Sequence, residues 1–137
     1  MLTREVNPSI PPVYAVNVST AQEVSDTIRF AVDNNIKLTI KGAAHEFLLR
    51  NSAPDALLIW TRYMTGLEFY TDKEICGTVY DKALMSEAGN SWYNVYTQAE
   101  ERGWLAIGGQ SPSVGVAGWT LGGGFGATVK VTQNWSF

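Results

Sequence analysis

The chain has 137 residues, 45% of them apolar and 17% charged, which fits a single globular domain with a real core. Thirteen acidic against ten basic side chains give a net charge of −3, so there is no basic excess of the kind that neutralises nucleic-acid phosphates. The single cysteine, Cys76, excludes an internal disulfide framework and reads as a buried or semi-buried thiol.

The opening, MLTREVNPSIPP, has no apolar core of a secretory signal, and no stretch has the length of a membrane span. Two sequons, at Asn17 and Asn134, matter only in a secreted chain; taken alone the sequence reads as non-secreted. Val13–Val18 reads as a short strand. Helix-start signals follow, with Ser19 and Gln22 or Thr20 and Glu23 spaced for a capping box. Ala21, Val24, Ile28 and Ala31 fall on one helical face, and Asn34 and Asn35 suit the left-handed geometry that closes a helix. Ile36–Ile40 alternates as a strand does. Strand, helix and strand form a βαβ unit, whose crossover implies a parallel pair.

The segment KGAAHEF, Lys41–Phe47, leaves the end of that second strand, where open α/β sheets bind ligands. Ala56–Trp60 is a fully apolar strand of the buried type. Thr71–Ala88 is ambiguous, with weak strand character in CGTVY and ALMSE. Trp92, Val95, Tyr96 and Ala99 form a helical stripe that Gly103 ends, and WLAIG follows as a strand. Gly108–Gly126 then holds eight of the 13 glycines.

The sole histidine, His45, lies on the loop after the second strand. No second His or Cys stands at ligand spacing, so a metal site is not expected. GxSxG is absent, and Ser111 is followed by Pro112 in place of a helix-opening residue, which argues against a serine hydrolase. His45 is left as an exposed loop histidine or as a nucleophilic nitrogen or polar contact for a cofactor. Gly42, Ala43 and Ala44 are small enough for successive N–H groups to converge on an anion such as a pyrophosphate, with Lys41 as a point charge beside it. The Gly108–Gly126 segment could wrap the other side of the same ligand. Neither a dinucleotide fingerprint nor a P-loop stands in its proper context.

The stretch from Tyr14 to Thr61 containing KGAAHEF, and the later ERGWLAIGGQSPSVGVAGWTLGGGFG, closely resemble the flavin-binding domain of the vanillyl-alcohol oxidase/p-cresol methylhydroxylase (PCMH-type) superfamily. Within it, the chain is most similar to the fungal berberine-bridge-like FAD-linked oxidoreductases. The resemblance covers Val13–Gly126 and implies an α+β fold: the first part of a PCMH-type FAD-binding domain, with a small parallel βαβ sheet plus further strands and a helix. It implies FAD as cofactor, bound at Lys41, Gly42, Ala43, Ala44, His45 and Glu46 around the pyrophosphate, with His45 as the nitrogen bonded to the flavin 8α-methyl. Gly109, Ser111, Pro112, Gly115, Gly118, Gly122, Gly123 and Gly124 are the implied second FAD-contacting set.

This sequence departs from the family pattern at several points. The family loop usually has Gly before the histidine and often Asp after it; here these are Ala44 and Glu46, and the added methyl matters if that position needs positive φ. Some members add a second link through a cysteine, where this chain has Ser111, so bicovalent attachment is not expected. The resemblance stops at Gly126. ATVKVTQNWSF departs from the family continuation toward further strands, a substrate domain and the catalytic base, so no catalytic residue is assigned. The expected organisation is a tail over 1–12, a partial FAD-binding domain over 13–126 and a divergent tail over 127–137, the chain being an incomplete family member. The implied activity is flavin-dependent oxidation of a small-molecule alcohol, sugar or secondary metabolite, without nucleic-acid or membrane partners. The alternatives are a remnant or a FAD- or nucleotide-binding module without turnover.

Overall fold

The computed structural model describes residues 12–126, so most of both expected tails and the sequon at Asn134 lie outside the described residues. Two compact units divide the chain, the first running to Tyr63 and the second from Met64.

The first unit contains β1 (Tyr14–Asn17), α1 (Ala21–Asp33), β2 (Lys37–Lys41), β3 (Ala56–Trp60) and a 3-10 turn, Thr61–Tyr63. Of the two capping boxes legible in the sequence, Thr20 and Glu23 form theirs. The Thr20 hydroxyl accepts from the Glu23 amide at 3.2 Å, while the Glu23 carboxylate accepts from the amides of Ser19 at 2.6 Å and Thr20 at 3.2 Å. These bonds, the Ser19 amide first, hold the Glu23 carboxyl below its ordinary range. At the other end Asn35 takes the left-handed conformation, φ 53°, and the Asn34 side chain donates to the Phe30 carbonyl. The buried face of α1 carries Thr27 and Ala31, whereas Ile28 is 40% exposed. The expected stripe through Ile28 is thereby corrected. Thr27 can replace an apolar residue because its hydroxyl donates to the Glu23 carbonyl at 2.7 Å, leaving its methyl to pack.

β1 and β2 are parallel but do not pair. The sheet order is β1-β3-β2, with Tyr14 opposite Leu57 and Leu57 opposite Leu38. The crossover through α1 spans one strand width, and β3 fills the gap. A central strand has neighbours on both edges, and Ala56, Leu57, Leu58 and Ile59 are all buried, which explains the unbroken apolar run.

The second unit contains β4 (Leu67–Ile75), β5 (Thr78–Ser86), α2 (Trp92–Glu100) and α3 (Val116–Leu121). β4 and β5 form an antiparallel hairpin over the region the sequence left ambiguous. Its turn places Cys76 and Gly77 at φ 50° and 81°, the two positive values that a tight hairpin turn requires. Cys76 is exposed at that tip, correcting the expectation of a buried thiol.

WLAIG is not a strand either. After Gly103, at φ 66°, the Trp104 amide donates back to the Ala99 carbonyl, and the Trp104 ring meets Phe69 of β4 edge-on at 5.4 Å. Arg102 and Lys82 lie over the same two rings, 4.2 Å from Phe69 and 5.2 Å from Trp104. The stretch is apolar because Trp104 packs on the hairpin, with no ladder involved. Asn90, 1% exposed, donates to the Gly66 carbonyl and accepts the Val116 amide on its own carbonyl, so it joins the hairpin base to the start of α3.

Replacing Thr20 by Ala removes one half of the capping box. It should lower stability by about 1 kcal/mol in urea unfolding, with the slope unchanged.

Candidate flavin site

The first group of expected site residues follows β2. Lys41, its last residue, is half-buried, as are Gly42, Ala43 and Glu46, while Ala44 and His45 are exposed. The loop is fixed at both ends. Where it leaves the sheet, the Trp60 indole N–H donates to the Gly42 carbonyl at 3.2 Å and the Thr61 hydroxyl donates to the Lys41 carbonyl at 3.3 Å. In a trans peptide the C=O and the following N–H point in opposite directions. The amides of Gly42 and Ala43 therefore face away from Trp60 and Thr61.

Ala44 has φ 69°, supplying the left-handed residue that a nest of successive N–H groups requires. The position does need positive φ, so the methyl is accommodated at a cost of about 1–2 kcal/mol relative to glycine.

Beyond His45, the Glu46 carboxylate accepts from the Leu48 amide at 2.9 Å and from the Arg50 guanidinium, whose Nε lies 2.7 Å away. The Leu48 amide first, then Arg50, lowers the Glu46 carboxyl below the ordinary value of 4.5. A depressed carboxyl contributes stability above its unfolded value and loses it as pH falls through the folded one. Glu46 thus braces the far side of the loop at neutral pH and releases it in acid.

Among the described residues, the N-termini of the two longer helices already have partners. The N-terminus of α1 holds the Glu23 carboxylate. At the start of α2, the first amides, of Trp92 and Tyr93, donate to the carbonyls of Val114 and Pro112 at 3.0 and 2.8 Å. α3 has only 6 residues. Among the described residues no cluster of His, Cys, Asp or Glu could hold a metal ion, and no helix is long and apolar enough to cross a membrane.

The second group lies in the second unit and is organised by aromatic rings. Trp92, 5% exposed, stacks on Tyr96 at 5.6 Å and meets Trp119 edge-on at 4.8 Å. A Cβ on Gly108 would come within 2.2 Å of the Trp92 ring, one on Gly109 within 2.8 Å, and one on Gly124 within 2.7 Å of the Trp119 ring. Those glycines are small because indole rings occupy the space. Gly118 and Gly123, by contrast, face open space, and Gly123 also needs its φ of 90°.

Gly115 caps the start of α3 and Gly122 its end, while Ser111 and Pro112 are exposed, with the hydroxyls of Ser111 and Ser113 3.2 Å apart. Tyr96 donates to the Gly109 carbonyl at 2.6 Å, and burial raises its phenol above the usual range. The Trp92 indole N–H is buried without a hydrogen-bond partner. Trp60, Thr61, Tyr96 and Asn90 were not expected as supporting residues. Trp60 and Thr61 could have been found from their place at the end of the strand flanking the loop.

A parallel sheet with an anion-competent loop at a strand's carboxyl end in one unit, and a glycine segment folded over tryptophans in the other, are features of a nucleotide-cofactor-binding α+β fold. The chain matches the FAD binding domain family over residues 12–135, and it belongs to that family. It is 39% identical over 118 residues to the FAD-linked oxidoreductase patO of Aspergillus clavatus, covering 84% of this chain and 20% of that protein. It is 36% identical over 115 residues to the FAD-linked oxidoreductase easE of Arthroderma otae, covering 82% of this chain and 19% of that protein. Among solved structures, the VAO-type flavoprotein MtVAO615 of Myceliophthora thermophila superposes with a TM-score of 0.83 at 28% identity, over 88% of this chain and 22% of that one. The chain therefore spans about a fifth of the length of these relatives. The expected fold, the first part of a PCMH-type FAD-binding domain, and the expected cofactor agree with these likenesses.

Replacing Ala44 by Gly should relieve the left-handed strain and raise stability by about 1 kcal/mol in urea unfolding. Replacing Glu46 by Gln should flatten part of the fall in thermal midpoint seen as pH drops below 4.5, while the wild type keeps the full fall.

Proposed function

We propose that the chain carries FAD contacts of a flavin-dependent oxidoreductase acting on a small alcohol, sugar or secondary metabolite. The observation that carries the reading is the loop from Lys41 to His45: its strand-end carbonyls are held from one side, so that the amides of Gly42 and Ala43 face the other. These amides, with that of Ala44 and the charge of Lys41, bind the pyrophosphate. His45, exposed at the end of this nest, supplies the imidazole nitrogen for attachment at the flavin 8α position.

In the second unit the proposed FAD contacts are Gly109, Ser111, Pro112, Gly115, Gly118, Gly122, Gly123 and Gly124. Gly118 and Gly123 support this best, since among the described residues no atom lies within 4 Å of where their Cβ would be. Gly109 and Gly124 contribute through backbone, their Cα faces being taken by indole rings. Bound flavin supplies the hydride acceptor, and the chain's own residues hold and orient it.

A second reading, flavin binding without turnover, is suggested by the chain's spanning only about a fifth of the length of its relatives. Anaerobic mixing with alcohols or sugars separates the two: bleaching of bound flavin supports turnover, and its absence with every substrate supports binding alone.

Wild-type protein loaded with FAD should show yellow fluorescence that survives denaturing electrophoresis, and His45→Ala should lose that fluorescence while retaining dissociable flavin. Equal fluorescence from both proteins on the gel would show that the attachment lies elsewhere.

A further inference from the structure

We infer that Trp60 and Thr61 are positioning residues for the pyrophosphate-binding amides, an inference that rests on the flavin reading above. Both act through the backbone of the loop and neither is assigned contact with the cofactor.

Trp60 lies opposite Asn17 on one side and Lys41 on the other, at the carboxyl ends of all three strands. Its carbonyl accepts the amide of Val18 at 3.1 Å, and its indole N–H reaches across to the Gly42 carbonyl at 3.2 Å. One residue thus ties the exits of both neighbouring strands. The next residue, Thr61, is buried and donates its hydroxyl to the Lys41 carbonyl.

Along a regular strand, successive carbonyls point to opposite sides. Here the carbonyls of two successive residues, Lys41 and Gly42, are both held by donors from the end of β3. That arrangement breaks the strand alternation just as the loop begins. It sets both following amides, of Gly42 and Ala43, away from β3 before any ligand arrives. The Trp60 ring is itself steadied, meeting Tyr63 edge-on at 5.7 Å. Donors aimed in advance bind an anion without the cost of ordering them on contact. An indole N–H and a hydroxyl suit the task, because each offers a donor to a carbonyl and carries no charge to compete for the phosphates.

Trp60→Phe keeps an aromatic ring and deletes the donor; Thr61→Val keeps the branched shape and deletes the hydroxyl. FAD and ADP, which share the pyrophosphate, are titrated onto each protein by calorimetry, with the thermal midpoint of the ligand-free protein measured alongside. Each variant should weaken both ligands by about threefold to tenfold. The amide resonances of Gly42 and Ala43 should move in the ligand-free variants. A lower midpoint with unchanged affinity for both ligands would mean a purely structural role and overturn the inference. Loss of FAD affinity with unchanged ADP affinity would also overturn it, because the effect would then lie at the flavin ring. If Trp60→Phe does not fold, Thr61→Val and its Gly42 resonance decide. Wild-type protein that binds neither ligand would sink the flavin reading itself, whereas wild-type binding matched by both variants would sink only the positioning role.

Discussion

The central strand β3 sets the order of everything around it in the first unit. Lying between β1 and β2, it has both of its edges in ladders, and its apolar side chains are buried. That burial makes its end a fixed reference point. Val18, 0% exposed, is tied to the Trp60 carbonyl where the chain turns into α1, and Gly42 is tied to the Trp60 indole where it turns into the loop. A loop that must present backbone amides to an anion gains from such anchorage, since its own sequence of Gly and Ala offers no side chains to hold it. The far end is held differently, by the Glu46 carboxylate with Leu48 and Arg50, which is an electrostatic clasp that acid weakens.

The filled helix termini sharpen the functional reading. In many α/β proteins the helix after the first strand receives phosphate at its N-terminus. Here Glu23 supplies that negative charge from within the chain, which favours α1 and closes the position to an anionic ligand. The start of α2 is closed by backbone carbonyls from Pro112 and Val114. The second unit applies a related economy to its glycines. Trp92 and Trp119 occupy the space beside Gly108, Gly109 and Gly124, so much of the glycine run exists to seat indole rings, while Gly118 and Gly123 keep open faces.

Much of this was legible from the residues, and the reasons differ by element. α1 and α2 announce themselves through capping and stop residues that act locally, as Thr20, Glu23 and Gly103 do. β3 reads clearly because burial on both faces leaves no polar positions. The pairing order was hidden, since nothing in β1, α1 or β2 says that a later strand will enter between them. Ile28 and Thr27 exchanged roles because periodicity ignores a threonine that satisfies its hydroxyl on its own helix. The hairpin was obscured by Cys76, an unusual residue for a turn that more often takes Asn or Asp. WLAIG misled because its Trp104 ring packs on the hairpin with no ladder, while Leu105 is 86% exposed. The loop's place after β2 was visible from strand order, but the donors that brace it, Trp60 and Thr61, lie 18 and 20 residues further along the chain and leave no local pattern.

The most direct test of the account is a titration of isotope-labelled protein with FAD, followed residue by residue at the backbone amides. Within the first unit, the amides of Gly42, Ala43 and Ala44 should show the largest shifts, with those of Ser19, Thr20 and Glu23 nearly still because their partners are already in place. Shifts concentrated at the α1 cap, with the loop amides unmoved, would contradict the assignment of the anion site.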